Sequence, residues 1–325
     1  MNYFEYKQPS GLEEAGKWLV QSDKVTLPLS GGTDLLGLVK HNILKPAALV
    51  NLKAIKGLNE IKYKKGKGLS IGAQVKISEV SQNEHVREIF PVLSEAAFEI
   101  ASPQLRNVGT VGGNLCQRPR CWYFRGEFDC LRKGGDTCFA IGGENKFHCI
   151  IGGGPCYIVH PSDLAVALLA VDAQVSIYSD GKTRTIPISD FFILPEDDVT
   201  KENILKPGEI LTEIYIPDIE PESISHYTKF KERTSWDFAI VSVASRIRVK
   251  GKRIESGKLA FGGIAPKPWT DDKTNQELKG LKLDSASISQ FVSGILTDAE
   301  TMEKNEYKVP LLRNLVQTEL EKLKS

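Results

Sequence analysis

The chain has no cysteine before position 116 and none after 156, yet six lie between, Cys116, Cys121, Cys130, Cys138, Cys149 and Cys156. It has no Cys-x-x-Cys pair, the spacing that forms most zinc knuckles. No apolar run reaches the 18 or more residues of a spanning helix: the longest, Leu164 to Val171, stops at Asp172, so a membrane protein is not expected. Met1 to Tyr6 lacks a basic stretch followed by an apolar one, which argues against a signal peptide and for the cytoplasm, where clustered thiols serve as metal ligands or redox groups rather than disulfides. Charge of either sign is not in excess: 42 Lys and Arg face 41 Asp and Glu, leaving no general field for nucleic acid or an anionic membrane. No Ser/His/Asp set or carboxylate pair is spaced for hydrolysis.

What is present is a soluble, globular composition, 41% apolar and 26% charged over 325 residues, enough for more than one core. Residues 10–22 read as a capped helix. They nearly spell a phosphate loop, Gly11 then Gly16-Lys17, but Trp18 stands where a magnesium-binding Ser or Thr is required. A strand from Val25 then ends in Leu29-Ser30-Gly31-Gly32-Thr33-Asp34-Leu35 and a helical run to Lys40. Paired glycines let backbone N–H groups approach an anion such as a pyrophosphate, with Thr33 or Asp34 capping the helix; the same residues also suit a plain strand–turn–helix connection. A second loop of the same chemistry, Ser102 onward to Thr110-Val111-Gly112-Gly113-Asn114, makes the turn reading weaker for both. No Gly-x-Gly-x-x-Gly occurs, so a dinucleotide held Rossmann-fashion is excluded.

The six thiols sit between that second loop and a glycine run at 152–154 leading into His160-Pro161-Ser162-Asp163, the start of a buried helix. Strands are expected at 173–178, 183–188 and 210–216, and an acidic, proline-bearing linker at 217–221 is the clearest boundary. Beyond it, strands at 227–230, 239–249 and 257–262 and helices at 285–296 and 309–323 predict a C-terminal α+β domain.

With these segments in hand, the chain resembles over its whole length the FAD-binding subunit of the molybdenum hydroxylases, the xanthine dehydrogenase and carbon monoxide dehydrogenase family. The resemblance rests on Ser30 to Leu36, Ala101 to Asn107 with Thr110 to Asn114, His160 to Asp163, Tyr227-x-Lys229 with Arg233 and Asp237-Phe238-Ala239, and Phe261 to Pro268. It implies an α+β fold of the vanillyl-alcohol-oxidase-like type, with FAD-binding subdomains over 1–57 and 58–217 and a C-terminal domain over 222–325. It implies FAD held by Leu29 to Leu35, by Ser102, Thr110, Gly112, Gly113 and Asn114, and by Asp163, Leu211 and Lys229, the lysine close to the flavin ring. It implies partners too: a molybdenum-cofactor large subunit and a small subunit with [2Fe-2S] clusters, the substrate chemistry lying on the former.

Most family members run almost directly from the second glycine loop to the Ser-Asp helix, whereas here about residues 116–156 intervene. This insertion resembles the iron–sulfur loop of the 4-hydroxybenzoyl-CoA reductase flavin subunit and of certain bacterial aldehyde oxidoreductases. That likeness nominates Cys121, Cys130, Cys138 and Cys156 as ligands of a [4Fe-4S] cluster, at intervals of 9, 8 and 18 residues, and leaves Cys116 and Cys149 over, either as further ligands or as small buried residues. An external one-electron carrier such as a ferredoxin is then the expected partner, with Arg118, Arg120, Arg125, Arg132 and Lys133 available to steer it. The rival from another class is a zinc-stabilised assembly module whose glycine loops are turns.

Overall fold

In the computed structural model, which describes residues 2–20 and 25–324, three sheets succeed one another along the chain. The first is small and parallel. Strand β2 (Thr26–Leu29) and β1 (Glu5–Lys7) flank the wholly buried β3 (Ala48–Asn51). The helix expected over 10–22 is observed at Leu12–Leu19, and positions 21 and 22 of that expectation lie outside the described residues.

The second sheet is antiparallel, in the order β4 (Ile61–Lys64), β5 (Gly68–Gly72), β8 (Ile210–Ile216), β6 (Gln174–Ser179), β7 (Lys182–Pro187). Between β5 and β6 run the helices Ile77–Gln82, Glu84–Ile89 and Pro91–Glu99, then the second glycine loop and the cysteine segment. The turn at Asp180-Gly181, both at positive φ, closes the β6–β7 hairpin, as its residues require.

The third sheet, β9 (Ser223–Phe230), β10 (Val241–Lys250) and β11 (Arg253–Gly262), is an antiparallel meander backed by helices Asp272–Leu278, Ser285–Ser293 and Lys308–Glu321. Helix Asp163–Ala170 is buried at every position. It belongs to one core with Leu69, Ile71 and Ile214 of the second sheet and with Tyr227, Ala244 and Ala260 of the third. An element that is apolar all round must be covered on all sides, which explains why the run 164–171 is so hydrophobic without entering a membrane. No helix among the described residues is long and apolar enough to cross one.

Candidate flavin site and cysteine cavity

The two glycine loops meet backbone to backbone. A Cβ on Gly31 would lie 2.2 Å from the carbonyl oxygen of Val108, so only glycine lets the first loop pass the second at this distance. Gly32 sits at φ 73°, the left-handed region that glycine enters without cost. Gly112 packs on Ala73, where a Cβ would come within 2.9 Å, and the Ala73 carbonyl accepts its N–H at 2.8 Å. Side chains complete the joint: Ser30 Oγ lies 2.6 Å from both Thr110 Oγ1 and Gln74 Oε1, and Thr110 Oγ1 accepts from Gly113 N–H at 3.2 Å. Sequence reasoning overlooked Gln74.

Two adjoining chambers open at this joint, of about 300 and 710 Å³. The first is lined by Ser30 to Leu35, Thr110, Gly112, Gly113 and Leu211, with apolar cover from Leu38, Leu44 and Leu205. The second is lined by Thr33, Asp34, Thr110, Gly113, Asn114, Asp163 and the segment Arg233 with Trp236 to Phe238. The backbone N–H groups of Gly31 to Asp34 donate to no group among the described residues, whereas those of Gly112 and Gly113 are already bonded. The free donors for an anion therefore lie on the first loop.

Leu29, Ser102 and Lys229 line neither chamber. Leu29 packs beneath Gly32, and Ser102 caps the short helix Pro103–Arg106 through Leu105 N–H at 3.4 Å. Lys229 is only 1% exposed and stands behind Asp163: its ammonium donates to Asp163 Oδ2 at 2.8 Å, to the carbonyl of Asp237 at 2.8 Å and to that of Glu99 at 3.2 Å. The other Asp163 oxygen accepts from the Tyr227 hydroxyl at 2.6 Å. Burial, reinforced by that carboxylate, holds the Tyr227 phenol well above its ordinary pKa, so it stays a donor. Residues 227 and 229 share one face of β9, and that alternation could have flagged Tyr227 together with the lysine. Trp236, 64% exposed and at φ 53°, donates its N–H to the carbonyl of Ala101, itself at φ 48°. Two non-glycine residues in this conformation thus join directly on the wall of the second chamber.

Asp34 stands at the N-cap position of helix Leu35–Lys40, one of the two expected there, but its side chain makes no capping hydrogen bond. Its carboxylate instead accepts from the cysteine segment: from Arg118 N–H at 2.8 Å, Arg120 at 2.8 Å and Arg125 at 2.7 Å. Glu202, a residue with no sequence signal, does the same for Arg118 at 3.0 Å and for Arg132, whose side chain is 1% exposed. Lys133 donates to the carbonyl of Gly126. The basic residues expected to steer an acidic carrier are thus turned inward, because a guanidinium taken out of water must find a carboxylate.

Cys121, Cys130, Cys138 and Cys156 line one small cavity, closed by Tyr123, Phe124, Phe139 and Ile158. The Cys138 sulfur accepts a hydrogen bond from the Cys156 thiol, which brings Cys138 down to about 6 and pushes Cys156 up. Burial raises Cys121, and His148 Nε2 lies 3.3 Å from its sulfur. Cys116 lines the first chamber and Cys149 is fully buried, both pushed up to about 12 by burial. Among the described residues no three His, Cys, Asp or Glu side chains stand ready-arranged around a metal ion. Convergence of four thiols with an adjacent buried guanidinium nonetheless fits a thiolate-ligated group, since soft sulfur donors select zinc or iron–sulfur clusters. The C-terminal helices hold this segment in place: Lys308, buried, donates to the carbonyls of Phe147, His148 and Gly263 at 2.9, 3.0 and 2.7 Å, and Asn305 to that of Cys149 at 3.0 Å.

Two chambers walled by glycine loops, without a Rossmann unit, are the cavity of a cofactor-binding protein that cradles an anion on backbone N–H groups. The chain belongs to the family of the FAD binding domain in molybdopterin dehydrogenase, which matches residues 2–219, and residues 225–323 match the CO dehydrogenase flavoprotein C-terminal domain. It is an oxidoreductase component that binds FAD, which removes the assembly-module alternative. The aldehyde oxidoreductase FAD-binding subunit PaoB of Escherichia coli K12 is 36% identical over 88% of this chain and 87% of its own length. The glyceraldehyde dehydrogenase medium chain of Sulfolobus acidocaldarius is 28% identical over 90% and 86%. Among solved structures, carbon monoxide dehydrogenase from Hydrogenophaga pseudoflava superposes with a TM-score of 0.76 at 23% identity, covering 98% of this chain and 96% of that one.

Proposed function

We propose that this chain is the FAD subunit of a molybdenum hydroxylase complex, passing electrons between an iron–sulfur partner subunit and an external carrier, while a molybdenum subunit handles the organic substrate. The observation that carries it is the run of N–H groups from Gly31 to Asp34, without a partner among the described residues, which lines the first chamber and, at Thr33 and Asp34, the second as well. Gly31 to Leu35 would hold the pyrophosphate, with Asn114 and Asp163 lining the part of the cleft nearest the third sheet. Asp163, fixed by Tyr227 and Lys229, would orient the ring through a carboxylate that cannot swing away. Bound there, FAD takes or gives electrons singly or in pairs. The names of the two relatives favour an aldehyde as the substrate of the complex over an acyl-CoA.

Cys121, Cys130, Cys138 and Cys156 would hold a [4Fe-4S] cluster, supported by their shared cavity and by the absence of zinc-like pairs. The site would be loaded in a reducing compartment such as the cytoplasm, and the carrier would be a one-electron protein, recognised by some surface other than the inward-turned arginines.

Anaerobic expression followed by flavin, iron and zinc analysis tests this reading. We expect one FAD released by acid and about four irons, with iron lost in Cys→Ser variants at 121, 130, 138 and 156 and retained in Cys116→Ala and Cys149→Ala. A colourless, zinc-loaded protein would sink both cofactor assignments, and FAD without iron would sink the cluster alone.

A further inference from the structure

We propose that Arg120, delivered by the cysteine segment, is the positive charge that tunes the bound flavin, a part the resemblance implied for Lys229. This rests on the flavin-subunit reading and adds a residue to it. All three N–H bonds of the Lys229 ammonium are spent, one of them on the Asp163 carboxylate that cancels its charge, and its side chain lines no chamber. Arg233 is paired with Asp237 at 3.2 Å and is 65% exposed, so water screens it.

Arg120 is placed differently. It lines the second flavin chamber and also the neighbouring cavity that reaches Cys121 and His148, and no other lysine or arginine among the described residues lines both. Its guanidinium lies 5.1 Å from the centre of the Phe238 ring, a cation–π arrangement that fixes the plane of the group. Its counter-ion Asp34 is shared: Arg120 at 2.8 Å and Arg125 at 2.7 Å contact the same Oδ1. Two guanidinium groups against one carboxylate leave one positive charge in excess, in a partly buried wall where charge acts more strongly than in water.

The chemistry such a charge favours is definite. When two electrons and one proton enter an oxidised flavin, N5 takes the proton and a negative charge remains on the N1–C2 carbonyl edge. A fixed cation beside the ring stabilises that product over the neutral oxidised ring and so raises the midpoint potential. The insertion would therefore set the flavin's potential whatever its thiols bind.

The test uses the full chain with its flavin. Midpoint potentials of the wild type, Arg120→Lys and Arg120→Met are measured by equilibration with reference dyes under dithionite, following flavin absorbance. Arg120→Met should shift the oxidised–reduced equilibrium against reduction at least tenfold, which for a two-electron couple is about 30 mV; Arg120→Lys should stay within threefold of the wild type. A loaded Arg120→Met protein with an unchanged potential overturns the proposal. Should that variant bind FAD too weakly to isolate, dissociation constants for oxidised and reduced FAD give the same answer: reduced FAD must weaken tenfold more, and equal weakening overturns the idea. Cys121→Ser is the control, since an equal shift there would assign the effect to the segment as a whole and not to Arg120. A wild type that binds no FAD would overturn the flavin reading itself.

Discussion

The glycine loops and the cysteine segment flank the same cleft but are built on opposite principles. The loops are positioned by backbone: Gly31 and Gly112 pass other main chains so closely that no side chain fits, and the hydroxyls of Ser30 and Thr110 join them. The cysteine segment has little regular structure of its own, only the turns Trp122–Arg125 and Leu131–Lys133, and is held by buried charge: Asp34 and Glu202 on one side, the Lys308 ammonium on the other. A segment with only two single turns of helix and no sheet ladder must satisfy most of its carbonyls and cations from elsewhere, and here both neighbouring units contribute. The loops should therefore be sensitive to volume and the segment to charge.

Lys308→Met should have the largest effect. It strands three buried carbonyls on the segment and on Gly263, and we expect about 4 kcal/mol lost in urea unfolding, each unsatisfied group costing about 1–3 kcal/mol against the relief of a desolvated cation. A loss under about 1 kcal/mol would mean the segment is held some other way. Asp34→Ala should come next, at about 3 kcal/mol, because it leaves Arg120 and Arg125 partly buried without their carboxylate. Proteolysis should then cut within 116–156 before anywhere else, and cutting elsewhere first would break the comparison.

Gly31→Ala adds no charge and one methyl group, yet its Cβ would collide with the Val108 carbonyl. We expect FAD affinity to fall at least tenfold, about 1.4 kcal/mol, with iron content unchanged; an equal loss of iron would show that loop and segment are not independent.

The smallest expected effect concerns pH. His160 is buried between the segment and the third sheet, and burial brings it down to about 3. Its folded pKa lies below that of the unfolded chain, so the unfolded state binds more protons between about pH 6.5 and 3, and stability falls as pH drops through that window. Between pH 7.5 and about 5.8 the wild type should lose about 1 kcal/mol more than His160→Gln, which has no titrating group there. Parallel curves would show that the ring takes up its proton as readily in the folded chain as in the unfolded one.

Much of this organisation was legible in the residues. Alternating apolar positions marked β6, β8 and β9 to β11, and the glycine pairs marked both loops, because these are short-range signals: a strand repeats every second residue, and a left-handed turn such as that at Gly32 requires glycine locally. The cluster ligands were nominated by resemblance alone, and the structure gathers those four thiols around one cavity. Lys229 was singled out by the resemblance, but its place behind Asp163 was not readable, nor was the helix Asp272–Leu278.

The amino-acid sequence by itself determined the element types, the two glycine-paired segments, the absence of a membrane-length apolar run and the confinement of every thiol to one segment. Only the tertiary structure decided where the charges went. Asp34 and Arg120 are 86 positions apart in the chain, Arg132 and Glu202 are 70 apart, and Lys308 lies 160 residues beyond His148. No local pattern encodes such pairs, since each is chosen by the cost of leaving a desolvated ion or carbonyl without a partner once the chain has folded around it.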